Sequence, residues 1–379
     1  MEGPGGSFKY SWIGLWMKKK VVVAMSGGVD SSLAAFLLKE EGYEVIGATM
    51  CIGILDREET SLGRCCGFSD MEDARRVALQ LEIPFYVFHL RDEFEREIIR
   101  YFCEEYRRGR TPNPCILCNE KLKFGSFLKK ALGLGADYVA TGHYARLEFD
   151  EATHHCLLKK GVDRKKDQSY VLFSLHQDQL RHILFPLGEY RKEEVRQKAF
   201  QIGLRVHSKP ESQEICFIRD PSYHSFLSER ITGSIQPGPI LDKDGNILGR
   251  HRGIAFHTIG QRRGLRLAKG KPLYVIRIDP EKNAVIVGEE GEVFSDHFWV
   301  DSVNWIDGKG ADVPLTAQVK IRYNHPGADA ILYPAGGNEV EIKFTTPQKA
   351  ITPGQAAVFY DGEVVLGGGW IKEVLNTEY

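Results

Sequence analysis

The sequence carries no excess of charge of either sign and no long apolar run. Its 50 lysines and arginines nearly balance 51 acidic residues, and the net charge of −1 does not by itself indicate a nucleic-acid partner. No apolar run approaches the roughly 20 residues of a membrane span. The first 16 residues also lack the sustained apolar core and the cleavage site of a signal peptide. We therefore expect a cytoplasmic globular protein without a membrane partner.

The chain also lacks internal repeats and any export signal. Eight cysteines in 379 residues then indicate a reducing compartment, and their placement suggests chemistry rather than disulfide stapling. A chain of this length should hold two or three domains. Residues 1–17 are expected to form an N-terminal extension, which is disordered or precedes a true start at Met17.

One short segment organises the sequence, although it lacks the lysine of the usual Gly-x-x-x-x-Gly-Lys phosphate loop. The apolar run at residues 21–23 leads into Ser-Gly-Gly-Val-Asp-Ser-Ser at residues 26–32 and then into apolar residues at helical spacing. This pattern predicts a strand, a tight turn and a helix. Because the glycines allow close backbone approach and the helix begins with unpaired N–H groups, the turn predicts an anion site. A serine-rich helix cap is the alternative interpretation.

A loop that binds phosphate through its backbone and hydroxyls suits the pyrophosphate half of ATP. Pyrophosphate is the leaving group when the nucleotide is split between its α and β phosphates. The segment resembles the PP-loop of ATP pyrophosphatases, and residues 26–32 are called the PP-loop below. Asp30 is a candidate ligand for the Mg2+ that would neutralise the departing pyrophosphate.

Predicted strands and helices alternate as far as about Asp220. The predicted strands are 44–49, 85–90 and 136–140, and the predicted helices are 69–81, 92–108 and 193–204. Such alternation predicts a doubly wound parallel α/β sheet that binds ligands at the carboxyl ends of its strands. Beyond residue 220, clusters of turn residues and short runs of β-branched residues predict domains that are built mainly from β-strands. We expect an ATP-binding domain at residues 18–220, a small mixed central domain at 221–287 and a C-terminal antiparallel β-barrel at 288–379.

Two cysteines lie where a helix is predicted to begin. Pro112 and Pro114 delay helix entry until about Cys115, which places Cys118 near the helix N-terminus. The helix dipole would stabilise the Cys118 thiolate there, as a nucleophile or a metal ligand requires.

Positive charge is concentrated between Gly249 and Lys271. This basic stripe contains no acidic residue and comprises Arg250, Arg252, Arg262, Arg263, Arg266, Lys269 and Lys271. It could bind a phosphate backbone, or it could be an ordinary solvated face.

Four separated motifs, at residues 26–32, 113–119, 141–146 and 211–217, resemble the tRNA-specific 2-thiouridylase family, MnmA. The string at 258–265 and the β-rich tail fit as well, so the resemblance runs from about Lys18 to near the C-terminus. It implies that ATP adenylates O2 of the wobble uridine (U34) of tRNA, that pyrophosphate departs from the PP-loop, and that sulfur then displaces AMP. The implied partners are tRNA and a sulfur donor, either sulfide or a persulfide-carrying protein.

The resemblance also implies roles for individual residues. ATP would be bound by Ala24, Met25, Ser26, Gly27, Gly28, Val29, Asp30, Ser31, Met50 and Gly142. The target base would lie against Asn113, Pro114 and Cys115. Contacts with tRNA are implied for His143, Lys166, Asp167, Gln168, Arg322, Tyr323 and Gln355. For His143, a histidine that simply satisfies a hydrogen bond is the alternative.

The sulfur chemistry would fall to cysteines. By resemblance, Cys216 carries sulfane sulfur as a persulfide and Cys118 is the nucleophile, and the two form a disulfide in one state or after turnover. The sequence departs from the family at Cys115, where many members have Asp. Thiolates at Cys115, Cys118 and Cys216 suffice to hold a [4Fe-4S] cluster with one iron open to sulfide. Persulfide chemistry, a cluster-dependent variant and a structural zinc site are therefore three alternatives.

Two other functions share parts of this pattern. Another PP-loop ligase or amidotransferase, such as argininosuccinate or GMP synthetase, would share residues 26–32 without needing three cysteines. A cysteine–metal RNA-binding module would use Cys115, Cys118 and the basic stripe, and would leave the PP-loop idle. Release of AMP and pyrophosphate that depends on tRNA separates the three functions.

Overall fold

The computed structural model describes residues 18–53, 68–210, 215–218, 223–231, 233, 235–267 and 270–375, so the predicted extension at 1–17 lies outside them. The strands are β1 (Lys20–Ala24), β2 (Glu44–Cys51), β3 (Phe85–His89), β4 (Tyr138–Ala140), β5 (Ala145–Asp150), β6 (His155–Lys160), β7 (Ile183–Leu184), β8 (Gly238–Leu241), β9 (Ile247–His251), β10 (Tyr274–Asp279), β11 (Ala284–Gly288), β12 (Phe294–Trp305), β13 (Leu315–Lys320), β14 (Ala328–Pro334), β15 (Val340–Lys349), β16 (Ala356–Asp361) and β17 (Val364–Val374). The helices are α1 (Val29–Glu40), α2 (Phe68–Gln80), α3 (Arg91–Phe94), α4 (Arg100–Arg107), α5 (Pro114–Leu117), α6 (Leu128–Gly133), α7 (Gln177–Leu180), α8 (Lys192–Gln201) and α9 (Tyr223–Arg230).

The apolar run at residues 21–23 forms the centre of a parallel sheet. Its strand order is β3-β2-β1-β4-β7. Val21, Val22 and Val23 are fully buried, because both faces of the sheet are covered. Val21 and Val23 pack with α1, α2 and α8, whereas Val22 faces the layer that contains Phe124 and Phe127. This arrangement confirms the predicted doubly wound α/β fold.

The strand order reverses at β1. Strands β2 and β3 lie on one side of β1, and β4 and β7 lie on the other. Such a reversal opens a crevice at the carboxyl ends of the two central strands, where ligands bind in open α/β sheets. The PP-loop follows β1 and residues 141–146 follow β4, so both segments lie at this crevice.

Two further sheets follow the parallel one. The smaller sheet has the order β10-β11-β8-β9. The other closes into a barrel in the order β12-β15-β14-β13-β16-β17, because β12 also pairs with β17. Side chains such as Phe298, Val319 and Phe359 fill the interior of the barrel. The C-terminal antiparallel β-barrel is thus confirmed, while the exact domain borders near residues 220 and 287 stay predictions.

One hairpin of the N-terminal part joins the barrel. Strands β5 and β6 pair with each other, and β6 also pairs with β17 through Lys159 and Val364. The Tyr170 hydroxyl donates a hydrogen bond of 2.9 Å to the carbonyl oxygen of Ala356 in β16. Residues 145–170 therefore tie the ATP-binding domain to the barrel.

Helix ends differ slightly from the predicted ones. The helix expected to be capped by Ser69 or Asp70 already begins at Phe68. The helix predicted over 193–204 ends at Gln201, because Gly203 adopts a left-handed φ of 72° that stops it. Two segments are π-helical, Glu95–Ile99 and Cys118–Phe127. In the part of the chain that the structure describes, no helix is long and apolar enough to cross a membrane.

Candidate active site

The PP-loop is held in shape by its own serines. The backbone N–H of Ser26 donates to Oγ of Ser31 over 3.1 Å, and the Ser32 hydroxyl donates to the carbonyl oxygen of Gly28 over 2.8 Å. Gly28 is the N-cap of α1 and carries no side chain that could cap the helix. The first N–H groups of α1 therefore stay available to an anion.

Glycine is required at two positions of this crevice. Gly27 adopts a φ of +73°, and a Cβ atom there would lie 2.0 Å from the carbonyl oxygen of Asp70. A Cβ atom on Gly142 would lie 2.8 Å from Asp30 and from the backbone N of Ser31. The backbone of Gly142 therefore packs closely against the start of α1 in this structure. A contact of Gly142 with ATP stays a prediction.

Asp30 is already paired within the protein. Nζ of Lys192 lies 2.7 Å from both carboxylate oxygens of Asp30, and the hydroxyl of Tyr144 donates to Oδ1 over 2.7 Å. Lys192 is buried at 7% exposure, so this pair is partly shielded from water. The described residues contain no group of three or more His, Cys, Asp or Glu placed to hold a metal ion. A role of Asp30 as a ligand of Mg2+ stays a prediction.

A second lysine reaches the PP-loop from a distant part of the sequence. Nζ of Lys209 donates to the carbonyl oxygen of Gly27 over 3.1 Å, and it also bonds to Asp70 at 2.7 Å and Asp73 at 2.6 Å. Neither Lys192 nor Lys209 is predicted from the sequence as part of the site. No local signal could have found them, because they lie 162 and 182 residues from their PP-loop partners.

The predicted cysteines come together on one side of the crevice. Helix α5 begins at Pro114, as the prolines predict, and Oδ1 of its N-cap Asn113 accepts a hydrogen bond of 3.2 Å from the backbone N–H of Cys115. Cys118 is the first residue of the π-helical segment Cys118–Phe127. Cys115, Cys118 and Cys216 are free thiols that interact electrostatically with one another. A disulfide between Cys118 and Cys216 is therefore not formed in this structure.

The prediction of a stabilised Cys118 thiolate is wrong for this structure. Burial raises the pKa of the Cys118 thiol above its usual value, and burial raises the pKa of Cys216 to about 12. Cys115 and Cys216 keep solvent-exposed surface, but the dense protein around them still raises the pKa of each thiol by desolvation. The expected dipole effect is a local one, and the tertiary burial outweighs it.

Lys123 opposes this effect of burial. It lies on the π-helical segment, and its charge lowers the pKa of Cys115, Cys118 and Cys216. It also lowers the pKa of His143, which burial already holds well below its usual range. Lys123 is a third residue that the sequence analysis missed. It could have been suspected only from a π-helical phase, in which residues five apart face the same way.

The fit of an iron–sulfur cluster can be judged from the same thiols. They are near enough to interact, but among the described residues they do not form a ligand set placed to hold a metal. The same holds for a structural zinc ion. Persulfide chemistry needs a thiolate as its nucleophile, so each of these protonated thiols must lose its proton when it reacts. The cluster contributes no step to the reaction proposed below.

The residues predicted to contact tRNA are mostly engaged within the protein. His143 is buried and shares a hydrogen bond of 2.6 Å with the Thr141 hydroxyl. Oδ1 of Asp167 accepts from the backbone N–H groups of Gly161 and Ser169, and Oε1 of Gln168 accepts from the backbone N–H of Tyr144. Lys166 is half-buried. Their contacts with tRNA stay predictions.

The predicted contacts in the barrel show a similar pattern. Nη1 of Arg322 donates to the carbonyl oxygen of Lys349, and the ring of Tyr323 lies 6.1 Å from that of Tyr170. Nε2 of Gln355 donates to the carbonyl oxygen of Thr111 over 2.9 Å. Gln355 thus helps to hold the segment that leads into Asn113 and the cysteines.

The basic stripe lies on the surface of the central sheet and its loop. Arg250, Arg252, Arg263 and Arg266 are exposed, whereas Lys271 pairs with Glu289 at 3.2 Å. Lys269 lies outside the described residues. The loop that bears the arginines is joined to the cysteine segment, because the hydroxyl of Thr111 donates to that of Thr258 over 3.2 Å.

Three family profiles cover nearly all of the described chain. Residues 19–220 match the family described as the tRNA methyl transferase HUP domain, and residues 224–289 match the tRNA methyl transferase PRC-barrel domain. Residues 295–371 match the aminomethyltransferase beta-barrel domain.

Full-length relatives are similar at about half of all positions. The tRNA-specific 2-thiouridylase MnmA of Acetivibrio thermocellus is 53% identical over 357 residues, which are 94% of this chain and 99% of that protein. The protein of the same name from Halothermothrix orenii is 54% identical over 356 residues, which are 93% of this chain and 99% of the relative. Among solved structures, the U34-tRNA thiolase NcsA from Methanococcus maripaludis with its [4Fe-4S] cluster is 21% identical and has a TM-score of 0.33, covering 57% of this chain and 65% of that one. A likeness this weak says nothing about a cluster in this chain.

Proposed function

This chain belongs to the MnmA family of tRNA-specific 2-thiouridylases, and we propose that it uses ATP to convert the wobble uridine (U34) of tRNA to 2-thiouridine. It is an ATP-dependent tRNA sulfurtransferase. We propose that its substrate is tRNA, that it also uses a sulfur donor and Mg2+, and that it works in the cytoplasm.

The observation that carries the proposal is the adjacency of the PP-loop and the thiols. Gly142 packs directly on Asp30 and Ser31, and the next residue, His143, lies within the electrostatic reach of Lys123. The same Lys123 acts on all three thiols. An anion site for the leaving group of an adenylation and a set of sulfur nucleophiles thus meet at one end of the parallel sheet.

The chemistry divides between two halves of the site. The nucleotide half is the PP-loop with Lys192 and Lys209, and the sulfur half is the three thiols with Lys123. Uridine O2 attacks the α-phosphorus of ATP, and the bond to the β-phosphate breaks, so pyrophosphate leaves from the PP-loop. The terminal sulfur of a persulfide on Cys216 then attacks C2, and AMP departs with the former O2. Finally, the Cys118 thiolate attacks the Cys216 sulfur, which forms a Cys118–Cys216 disulfide and releases 2-thiouridine. The two cysteines are oxidised while the sulfane sulfur is reduced, so an external thiol must regenerate them.

Nucleoside mass spectrometry of unmodified tRNA tests this function. The protein is incubated anaerobically with tRNA, ATP, Mg2+ and either sulfide or a persulfide-carrying donor, before and after iron–sulfur reconstitution. We expect 2-thiouridine, together with AMP and pyrophosphate release that depends on tRNA. If 2-thiouridine forms only after reconstitution, the cluster of Cys115, Cys118 and Cys216 is supported instead of the persulfide route. If AMP forms without tRNA and no donor yields 2-thiouridine, the protein is another PP-loop ligase.

A further inference from the structure

Lys209 stands beside the PP-loop without a role in the steps above. Its ammonium donates to the carbonyl oxygen of Gly27 over 3.1 Å, and Asp70 and Asp73 accept its other hydrogen bonds at 2.7 and 2.6 Å. An ammonium has three N–H donors, so all three are used in this structure. The Lys209 side chain keeps 28% of its surface exposed, which leaves it accessible from the crevice.

The two lysines beside the PP-loop differ in how far their carboxylate partners are exposed to water. Lys192 is buried and bonds to both oxygens of Asp30, so its charge is neutralised inside the protein. One partner of Lys209 lies nearer to water, because Asp70 is 58% exposed, whereas Asp73 at 26% is as shielded as Asp30 at 31%. An exposed carboxylate can exchange a lysine for water at little cost, since surface ion pairs contribute only about 0–1 kcal/mol. Lys209 is therefore the lysine that can change partners.

We propose that Lys209 binds the pyrophosphate half of ATP. When the anion occupies the PP-loop, the ammonium keeps its bond to Gly27 and exchanges a carboxylate of Asp70 or Asp73 for a phosphate oxygen. Lys209 thus replaces the lysine that the PP-loop itself lacks. This inference rests on the proposed function for the identity of the leaving group.

The protonation of Lys209 fits this role. Desolvation lowers its pKa, but the bonds to Asp70 and Asp73 outweigh that effect and raise the pKa above the ordinary value of lysine. The group is therefore an ammonium at neutral pH. A phosphate oxygen, like the carboxylate that it replaces, is an anionic acceptor for this ammonium.

Calorimetric binding of inorganic pyrophosphate and of AMP, each with Mg2+ and without tRNA, tests the proposal. We expect Lys209→Met to weaken pyrophosphate binding about tenfold or more, the value of a charged hydrogen bond, and to leave AMP binding nearly unchanged. Asp73→Asn removes a competing carboxylate and should strengthen pyrophosphate binding. Lys209→Arg keeps the charge and should retain much of the affinity.

Lys39→Met is the matched control. Lys39 also donates to a backbone carbonyl, that of Leu81, and lies near a carboxylate, but it sits in the last turn of α1. We expect it to leave both affinities unchanged. Thermal unfolding midpoints check that each variant is folded. If Lys209→Met does not fold, the pyrophosphate affinities of Lys209→Arg and Asp73→Asn test the proposal instead.

The proposal is overturned if Lys209→Met binds pyrophosphate like the wild type or loses AMP and pyrophosphate affinity equally. It is also overturned if Asp73→Asn weakens pyrophosphate binding. In that case Lys209, Asp70 and Asp73 only hold the PP-loop in shape and do not compete with the anion. These measurements need neither tRNA nor a sulfur donor. A failure of 2-thiouridine formation, which would refute the proposed function, is therefore seen separately.

Discussion

Around the PP-loop, charged groups are paired at short distances. The thiols across the crevice are protonated, because the charge of Lys123 lowers their pKa less than burial raises it. Asp30 is held by Lys192 and Tyr144, and Lys209 is held by Asp70 and Asp73. On the other side, burial raises the pKa of Cys118 and Cys216, with Lys123 opposing it. The nucleotide half is thus pre-organised before substrate arrives, while the thiols of the sulfur half are protonated at rest.

This difference suits the order of the reaction. Adenylation needs a rigid anion site from the start, because the leaving group must be stabilised as it forms. The sulfur step should wait until an adenylated uridine is present, since a thiolate exposed earlier would react with other electrophiles. A protonated thiol meets that need.

The largest expected effect concerns the sulfur half alone. Cys118→Ser and Cys216→Ser should each lower thiolation by a factor of about a thousand or more, because a hydroxyl can neither carry sulfane sulfur nor resolve a persulfide. Binding of tRNA should stay nearly unchanged. Filter binding and nucleoside mass spectrometry measure the two quantities. Cys156→Ala, a change at a buried free thiol in a different core cluster, is the control and should thiolate normally. Loss of tRNA binding in the serine variants would mean that the cysteines are structural.

The resting state of the thiols can be tested by pH. Because the pKa of Cys216 is about 12, its alkylation by iodoacetamide in metal-free protein should rise about tenfold per pH unit and still be rising at pH 10. Raising the pH increases the thiolate fraction, so the sign is an increase. Mass spectrometry of the labelled peptide follows the rate. In denatured protein the rate should level off above about pH 9, near the ordinary thiol pKa. A plateau below pH 9 in the folded protein would remove the contrast between the two halves.

The rigidity of the nucleotide half predicts a cost in stability. Asp30→Asn leaves the buried Lys192 ammonium with a neutral partner and should lower the free energy of unfolding by about 1–3 kcal/mol. Glu82→Gln, which changes the exposed pair with Lys39, should cost less than about 0.5 kcal/mol. Urea unfolding of both variants gives the comparison. Equal losses of unfolding free energy in the two variants would show that the ion pair of Asp30 and Lys192 does not stabilise the protein.

Local patterns predicted the elements that carry both halves of the site, but not the lysines that act on them from other parts of the chain. Strand β1, the PP-loop and α1 follow from neighbouring residues, and the start of α5 follows from Pro112 and Pro114. The parallel sheet and the barrel also follow from alternation and strand-like runs. The roles of Lys192 and Lys209 could not be predicted, because their bonds join residues far apart in sequence.

The chemical state of Cys118 was mispredicted for a related reason. Its place at a helix start is local and was predicted correctly, but the burial that decides its pKa depends on how the whole domain packs. The union of β6 with β17 is likewise a tertiary event, which the alternating patterns of the two strands do not indicate.

The smallest expected effect comes from removing the positive charge of Lys123 in the sulfur half. Lys123→Met removes a charge that lowers the pKa of all three thiols, so alkylation of Cys118 and Cys216 at pH 8 should slow severalfold. Lys121→Met is the matched control on the same segment, because Lys121 pairs with Glu120 instead, and it should leave the rates unchanged. Pyrophosphate affinity should not move in either variant, since neither lysine touches the PP-loop. If Lys123→Met weakens pyrophosphate binding as much as Lys209→Met does, the two halves share one electrostatic field and the sulfur step cannot be controlled separately from adenylation.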